Sequence, residues 1–195
     1  GELEVKGPSI FVGYWRKEEA TAEVFTPDGW FKTGDIGHMD ADGFLSITDR
    51  KKELLKTSGG KMIAPQPIEN KLKANALVAQ AALVGDRHKF LCVLISPNFQ
   101  ALEGWAKGQG IGVGDRSALV KEARVVKVYQ EIVDKVNGGL ANFESIKRVR
   151  VVPDEWSIDD GMLTPSMKMK RRAVEKRYAG EIAEFYADEA TATKE

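Results

Sequence analysis

The chain has 195 residues, of which 43% are hydrophobic and 30% charged, and its 29 basic residues equal its 29 acidic ones. This size and composition are typical of one globular domain, or of one domain and part of another. Because the formal charges cancel, no field of one sign surrounds the chain, which argues against a nucleic-acid-binding protein and restricts any polyanion site to a local cluster.

Residues 1–50 are predicted to be rich in β-strand. Alternating apolar residues indicate a first strand that runs to Tyr14, followed by a short polar helix over residues 16–25 and a turn over residues 26–29. Two further strands complete this part. Because the chain begins abruptly in strand alternation and without a methionine, we expect it to be a piece of a longer protein.

The turn between those two strands is predicted at Asp40–Gly43. Its sequence, DADG, is typical of a β-hairpin. A calcium loop is the alternative, but the carboxylate that such a loop needs at its twelfth position would fall on Lys51. We therefore interpret the segment as a hairpin.

The character of the chain changes near Asp49–Lys52, where we place a domain boundary. Beyond it the patterns predict a helix, two buried strands, a long amphipathic helix, a strand and a closing helix, over residues 64–75, 77–86, 90–97, 117–137, 146–156 and 168–190. Strands and helices mixed without regular βαβ alternation predict an α+β fold. The glycine-rich run at 107–115 lacks the spacing of a dinucleotide-binding loop and is predicted to link two helices.

Several features bear on the compartment and on metals. Cys92 lies in the apolar run FLCVLIS and is predicted to be a buried core thiol. Because it is the single cysteine, the chain cannot form an internal disulfide. No apolar run approaches the ~20 residues of a membrane span, and no signal peptide opens the chain. We expect a cytoplasmic protein without a transmembrane segment, while peripheral contact with a membrane stays open. His38 and His88 lack the spacing of a metal site, so no metal ligand is predicted.

The first candidate site is the segment WFKTGDIG, in which Asp35 follows a glycine at a strand position. A carboxylate gains nothing from β propensity there. Its two oxygens can accept hydrogen bonds from adjacent hydroxyls, as in a ribose. The alternative is a turn aspartate that binds its own backbone, and the spacing alone does not separate the two.

The second candidate is a Gly-Gly pair, Gly59 and Gly60, in the stretch DRKKELLKTSGGKMIAP. Without a Cβ, their backbone N–H groups can approach a ligand closely, and Lys52, Lys56 and Lys61 can supply charge opposite a phosphate. The stretch is not a P-loop, because methionine follows Lys61 where that motif needs serine or threonine.

The third candidate is the segment LTPSMKMKRRAVEKR. Six of the ten residues from Lys168 to Arg177 are basic and one is acidic. A solvated helix face usually explains such a run. However, Met167 and Met169 alternate with Lys168 and Lys170 as in an extended segment, which would direct Lys168 to one side before a helix begins.

Together these segments resemble the adenylate-forming superfamily, which includes acyl-CoA synthetases, firefly luciferase and the adenylation domains of nonribosomal peptide synthesis. The resemblance extends over essentially the whole chain and rests on four motifs in order: GELEVKGPSIFVGY, WFKTGDIG, DRKKELLKTSGGKMIAPQPIEN and LTPSMKMKRR. The third and fourth look most like the long-chain and very-long-chain fatty acid–CoA ligase branch.

The resemblance implies a two-step ligase reaction. A fatty acid carboxylate attacks the α-phosphate of ATP to form an acyl-adenylate and pyrophosphate, and the thiol of CoA then displaces AMP. The cofactors implied are ATP or AMP, CoA, and a magnesium ion carried by ATP, for which no protein ligand is seen here. The resemblance also implies that Asp35 and Arg50 bind the ribose, and that Lys52 is the hinge about which a small C-terminal domain rotates between the half-reactions.

Further roles follow from the same resemblance. Lys168 matches the catalytic lysine that enters the site for adenylation, where it bridges carboxylate and phosphate oxygens. Gly59 and Gly60 match the loop that replaces this lysine after rotation and lines the pantetheine tunnel. Lys56 is assigned to cofactor binding, although related branches differ at this position and its role stays open. Met167 replaces a glycine that usually precedes the catalytic lysine.

The domain organisation expected from the resemblance has two parts. Residues 1–50 would be the terminal β-rich piece of a larger N-terminal adenylation domain, and residues 51–195 the mobile C-terminal lid domain, a short mixed sheet flanked by helices. The phosphate loop and acyl tunnel belong to the missing N-terminal domain, so this stretch alone is expected to be inactive. Two alternatives stay open: a non-catalytic module that binds CoA or another polyphosphate, and an adenylating enzyme whose acceptor is a carrier protein.

Overall fold

The computed structural model describes residues 1–188 and divides the chain into two compact units, Gly1–Leu54 and Leu55–Glu195. The division lies a few residues beyond the boundary predicted from the sequence. The ends of the predicted closing helix and of the predicted second domain, residues 189–195, lie outside the described residues.

The first unit is an antiparallel three-stranded sheet with one short helix. In chain order its elements are β1 (Glu2–Val5), α1 (Glu18–Val24), β2 (Phe31–Met39) and β3 (Leu45–Arg50), and the sheet order is β1-β2-β3. A turn joins β2 to β3, where the Asp40 carboxylate accepts hydrogen bonds from the N–H groups of Asp42 (3.0 Å) and Phe44 (2.8 Å). This carboxylate stabilises a hairpin, as predicted.

The prediction of a first strand reaching Tyr14 was wrong, because β1 ends at Val5. Gly7 and Pro8 follow, and a proline has no N–H to donate to a neighbouring strand. The chain turns there, with the Ile10 N–H donating to the Gly7 carbonyl at 3.1 Å.

No apolar side chain of the first unit, all of whose residues the structure describes, is buried. Its main apolar feature is a partly exposed aromatic cluster with ring centroids 5.1–5.6 Å apart, formed by Phe11, Tyr14, Phe25 and Phe31. The unit is therefore held mainly by its strand pairing and by polar contacts.

The second unit has an α+β fold, as predicted, with a mixed sheet between helices. Its elements are β4 (Leu55–Lys56), β5 (Met62–Ile63), α2 (Pro65–Lys73), β6 (Val78–Val84), β7 (Leu91–Pro97), α3 (Phe99–Gly108), α4 (Arg116–Leu119), α5 (Ala123–Asn137), β8 (Ile146–Val151), α6 (Arg171–Arg177) and α7 (Ala179–Phe185). The main sheet has the order β6-β7-β8, with β6 antiparallel and β8 parallel to β7, while β4 and β5 form a separate hairpin.

Both faces of the β6-β7-β8 sheet are buried, which explains the continuous apolar runs of β6 and β7. One face contributes Leu83, Val93 and Ile95 to a core with α2, α3 and α5. The opposite face contributes Cys92 and Leu94 to a second core with α6 and α7. Cys92 is fully buried, as predicted.

In the second unit, the predicted bounds differ most from the observed ones at three elements. The long helix predicted over 117–137 is interrupted, because the Glu122 side chain accepts hydrogen bonds from the N–H groups of Arg124 and Val125 and begins α5 as its N-cap. The strand predicted to reach residue 156 ends at Val151, shortly before Pro153.

The closing helix predicted from residue 168 begins instead at Arg171 and is broken at Tyr178. The buried Tyr178 hydroxyl lies 2.9 Å from Asp154 Oδ2 and 3.0 Å from Trp156 Nε1. This anchoring to the segment after β8 lies at the break between α6 and α7. Within residues 1–188, no helix is both long enough and apolar enough to cross a membrane.

Candidate functional site

Asp35 and Arg50, predicted together from the sequence, lie opposite each other on β2 and β3. The Arg50 Nε–H donates to Asp35 Oδ1 at 3.1 Å, and both side chains are partly exposed. Gly34, which precedes the aspartate, has a φ of +76°, a conformation that favours glycine. Because the ion pair uses one carboxylate oxygen and one guanidinium nitrogen, Oδ2 and the terminal nitrogens can contact a ligand with paired hydroxyls.

Lys52, the predicted hinge residue, is exposed in a single 3₁₀ turn, Lys51–Glu53, at the end of the first unit. Its neighbour Lys51 pairs with Glu2 at 2.7 Å. Among the carboxylates of residues 1–188, none forms an ion pair with Lys52.

Gly59 and Gly60 form the tip of the β4–β5 hairpin, an element that the sequence did not predict. Thr57 closes the tip: its N–H donates to the Lys61 carbonyl (3.0 Å), its carbonyl accepts from the Gly60 N–H (2.9 Å), and its Oγ1 accepts from the Lys61 N–H (3.1 Å). Gly60 has a φ of +78° and Gly59 does not lie in the left-handed region. A Cβ at Gly60 would have no heavy atom within 4 Å, so the tip exposes bare backbone.

The turn over residues 85–88 supports this hairpin. The sequence analysis missed the role of this turn. The Asp86 carboxylate accepts from the Lys56 N–H (3.0 Å), and the Lys56 carbonyl accepts from the Arg87 N–H (2.7 Å). The Ser58 N–H donates to the His88 carbonyl at 2.9 Å. The backbone of Lys56 is thus held on both sides while its side chain is exposed. The GD pair after a buried strand was the signal available in the sequence.

Lys168, the predicted catalytic residue, lies in a tight loop, and its side chain is exposed. An isolated antiparallel bridge pairs Leu163 with Met169 across the loop. Met167 has a φ of +61°, a conformation that glycine adopts more readily than methionine does. No carboxylate of residues 1–188 pairs with Lys168, so its ammonium group is available to an anion.

Arg171 anchors the chain immediately after this loop, a role that the sequence analysis also missed. Its Nη2 lies 2.7 Å from Glu69 Oε1 on α2, and its Nη1 donates to the Leu83 carbonyl on β6 at 2.7 Å. The same Glu69 oxygen accepts from the Leu83 N–H at 2.7 Å. The ion pair is buried, with side chains only 11% and 5% exposed. It therefore joins three elements that are distant in sequence.

A cavity of about 460 Å³ lies between the 85–88 turn and the last two described helices, α6 and α7. Asp86, His88 and Glu175 provide its polar lining. Burial raises the pKa of the Glu175 carboxyl above its ordinary value; the charge of Arg171 opposes this rise and that of Asp86 adds to it. The pKa of Glu175 therefore depends on the surroundings of the 85–88 turn, which supports the glycine hairpin.

The structure brings only part of the predicted set into contact. Asp35 and Arg50 form a pair in the first unit. In the second unit, Asp86 bonds the glycine hairpin, and Arg171 bonds Leu83 immediately after the Lys168 loop. Leu83 and Asp86 both lie near the end of β6. Within residues 1–188, no group of three or more potential metal ligands is assembled.

Residues 52–190 match the family model described as "AMP-binding enzyme C-terminal domain". The chain is 44% identical over 193 residues to the long-chain-fatty-acid–CoA ligase FadD15 of Mycobacterium tuberculosis, covering 97% of this chain and 32% of that protein. It is 37% identical to long-chain-fatty-acid–CoA ligase 1 of Homo sapiens, covering 96% of this chain and 27% of that one. The chain thus spans about a third of the length of these curated relatives or less.

Solved structures show the same likeness. The A domain of carboxylic acid reductase from Segniliparus rugosus, in complex with AMP and a co-purified carboxylic acid, superposes with a TM-score of 0.79 at 28% identity. The match covers 96% of this chain and 28% of that one. The A-PCP didomain of a carboxylic acid reductase from the same organism, in complex with AMP, gives a TM-score of 0.73 at 30% identity, covering 98% and 25%.

Proposed function

This chain belongs to the AMP-binding enzyme family, and we propose that it is the C-terminal part of an ATP-dependent fatty acid–CoA ligase. In the proposed reaction the fatty acid carboxylate attacks the α-phosphate of ATP and releases pyrophosphate. The CoA thiol then attacks the acyl carbonyl and releases AMP. The observation that carries the proposal is the similarity to curated long-chain ligases along nearly the whole chain. Adenylation by the chain alone is not expected.

We propose that Asp35 and Arg50 hold the ribose of the nucleotide. Their ion pair places a carboxylate oxygen and guanidinium nitrogens side by side at one point of the β2–β3 pair. A diol can donate to the carboxylate, and the guanidinium fixes the orientation of that carboxylate. The family's use of AMP agrees with a nucleotide as the ligand.

Lys168 is proposed to act in adenylation. Its unpaired ammonium group can contact the carboxylate of the fatty acid and the α-phosphate, where negative charge develops during attack. Among the described residues, no carboxylate forms an ion pair with Lys168. Magnesium is proposed to arrive with ATP and to neutralise phosphate charge, since residues 1–188 assemble no group of three or more side chains that could hold the ion.

Gly59 and Gly60 are proposed to act in thioester formation, after rotation about Lys52. The bare tip of the hairpin would let the narrow pantetheine arm of CoA pass close to the backbone. Lys56 is proposed to add positive charge near this path, because its backbone is fixed by Asp86 and its side chain is exposed.

The partners proposed are the fatty acid, CoA and an N-terminal adenylation domain upstream of this chain, with residues 1–50 as that domain's last β-rich piece and 51–195 as its lid. Large apolar side chains exposed in the first unit support this, including Val12, Trp15, Met39 and Phe44, which are 99%, 84%, 68% and 71% exposed. A cytoplasmic location is proposed from the single buried cysteine. Peripheral membrane contact stays open and can be tested by co-sedimentation with lipid vesicles.

The two half-reactions of the full-length ligase test the proposed roles separately. Lys168→Ala should lower acyl-adenylate formation by about 10²–10³-fold, the loss typical of one electrostatic donor. It should leave thioester formation from preformed acyl-adenylate nearly unchanged. Gly60→Leu should do the reverse, because its side chain blocks the pantetheine path. Equal loss of both half-reactions in both variants would contradict the proposal.

The acceptor of the second step distinguishes the remaining alternatives. Similarity to ligases named for CoA favours free CoA. The likeness to an A-PCP didomain is the observation that keeps a carrier-protein acceptor open. Acyl transfer to CoA, in competition with a phosphopantetheinylated carrier protein, decides between them. Binding of CoA without any ATP–pyrophosphate exchange by the full-length protein would instead support a non-catalytic module.

A further inference from the structure

The Lys168 loop is organised around one residue, Thr164. The Thr164 N–H donates to the Lys168 carbonyl at 2.8 Å, and the Thr164 carbonyl accepts from the Met167 N–H at 2.8 Å. The Lys168 N–H donates to Thr164 Oγ1 at 3.0 Å. Both polar backbone groups of Lys168 are therefore bonded to the same threonine, one of them through its side chain.

This arrangement is a hairpin loop of a known kind. A turn over Thr164–Met167 has proline at its second position, and its last residue, Met167, has a positive φ. The hydroxyl of Ser166 lies 3.0 Å from Thr164 Oγ1 and makes no hydrogen bond to the Lys168 backbone among the described contacts. Ser166→Ala therefore removes a hydroxyl that is hydrogen-bonded to Thr164 Oγ1 but leaves the acceptor of the Lys168 N–H in place.

The arms of the loop are anchored in the core, whereas its tip is exposed. Leu163 and Met162 are buried, and the Met162 carbonyl accepts from the Lys170 N–H at 2.7 Å. Thr164 is the last partly buried residue before the exposed tip. The hydrogen bonds of Thr164 thus hold the backbone of Lys168 in a fixed position relative to the core.

We propose that Thr164 is a positioning residue for Lys168 in the adenylation half-reaction, an inference that rests on the proposed function. The Lys168 side chain is long and exposed, so the place of its ammonium group depends on where its backbone is held. Loss of the hydroxyl acceptor releases the Lys168 N–H while the backbone contacts of Thr164 persist. A displacement of about 1 Å at a catalytic group can cost up to about 10²-fold in rate, so we expect a loss of about tenfold.

The first test is made on this chain and does not require activity. Thr164→Val preserves the shape of the side chain and removes the hydroxyl, whereas Thr164→Ser retains the hydroxyl. Amide hydrogen exchange, followed by NMR, should be about tenfold or more faster at Lys168 in Thr164→Val than in the wild type. Exchange at Lys170 should stay unchanged, and Thr164→Ser and Ser166→Ala should retain protection at Lys168. If the Lys168 amide exchanged as slowly in Thr164→Val as in the wild type, the proposal would be overturned.

The second test uses the separate half-reactions of the full-length ligase. Thr164→Val should lower kcat of adenylation about tenfold, with KM for ATP and fatty acid nearly unchanged and thioester formation unaffected. Thr164→Ser should restore most of the rate, and Ser166→Ala should resemble the wild type. In a Lys168→Ala background the valine should cause no further loss, because residues that act through one another are not additive.

The outcomes separate this inference from the proposed function. If Lys168→Ala lowers adenylation but Thr164→Val does not, the positioning role is overturned and the ligase proposal stands. If Thr164→Val lowers the rate equally with and without Lys168, the threonine acts independently, which also overturns the inference. If Lys168→Ala leaves adenylation intact, the proposed role of Lys168 is contradicted, and the positioning role falls with it.

Discussion

At the scale of single residues, the two adjacent glycines of the hairpin tip have different backbone requirements. Gly60 has a φ of +78°, whereas Gly59 does not lie in the left-handed region, and neither would bring a Cβ closer than 3.9 Å to another atom. Any cost of a small side chain at Gly60 is therefore one of backbone strain and not of a clash.

This difference predicts unequal effects on stability. Gly60→Ala should lower the free energy of unfolding of the second unit by about 1–2 kcal/mol, the cost of a left-handed conformation for a residue with a Cβ. Gly59→Ala, the matched control, should be within about 0.5 kcal/mol of the wild type. Urea unfolding followed by near-UV circular dichroism measures both. Similar losses in the two variants would mean that packing, and not φ, determines the cost.

Glu175 provides a second prediction, based on pH. Its pKa in the folded state is raised above the ordinary value of 4.5, chiefly by burial. The folded state therefore binds this proton more tightly than the unfolded state, and the stability that depends on it is present at low pH and lost as pH rises through the folded pKa. Glu175→Gln should raise the melting temperature at pH 7, and the gain should shrink as pH falls towards 4.

The control for this measurement is Glu181→Gln on α7, since Glu181 forms no ion pair with a described residue. It removes the same charge from a neighbouring helix, so it corrects for the change in net charge. We expect little difference between this variant and the wild type at either pH. If Glu175→Gln showed a constant effect from pH 4 to pH 7, the titration of Glu175 would not be linked to folding.

At the scale of elements, the buried pair of Glu69 and Arg171 joins α2, β6 and the start of α6. The two residues are 102 positions apart, and both also bond the backbone of Leu83. Within residues 1–188, the Nε–H of Arg171 is buried without a hydrogen-bond acceptor. Pairs of this kind contribute less than their geometry suggests, but removing one partner leaves a buried charge uncompensated.

A double-mutant cycle should show this coupling. Glu69→Gln and Arg171→Met should each destabilise the second unit by about 3 kcal/mol or more, because each removes one partner of a buried ion pair. The double variant should cost less than the sum, since the glutamine can still accept from Leu83 and no unpaired charge remains. Chemical unfolding of the four proteins gives the coupling energy. Additive losses would show that the two side chains stabilise the fold independently.

At the scale of the whole molecule, the two compact units differ in how they are stabilised. The second unit has two buried apolar clusters, one on each face of its main sheet. The first unit has no buried apolar side chain. Since apolar burial is the main favourable contribution to folding, the first unit should open more readily than the second.

Limited proteolysis should reveal this difference. Trypsin is expected to cut first at Lys51 or Lys52, in the exposed 3₁₀ turn, and not at Lys56, whose backbone N–H and carbonyl are both hydrogen-bonded. A core that begins near Glu53 should persist while the first unit is degraded. Lys51→Gln/Lys52→Gln should delay the first cut without changing the lifetime of the core. Equal lifetimes of both units would contradict the division.

Much of the second unit could be predicted from local patterns. The apolar runs at 77–86 and 90–97 correspond to β6 and β7, because both faces of their sheet are covered. The helical spacing before Asn137 corresponds to α5. The predicted helix bounds were wrong where a side chain caps a helix within the apolar repeat, as the Glu122 carboxylate does at the start of α5. Periodicity records which face is buried, and not where a helix is capped.

The amino-acid sequence by itself determined the candidate residues, since the chemistry of Asp35, Lys168 and the Gly59–Gly60 pair is visible in short motifs. Only the tertiary structure decided how these residues are held. The bonds from Asp86 to the hairpin and from Arg171 to Glu69 join residues far apart in the chain, and the one from Thr164 to Lys168 depends on the loop's conformation. A sequence pattern records local preference, whereas the two long-range contacts exist only after distant segments have packed together.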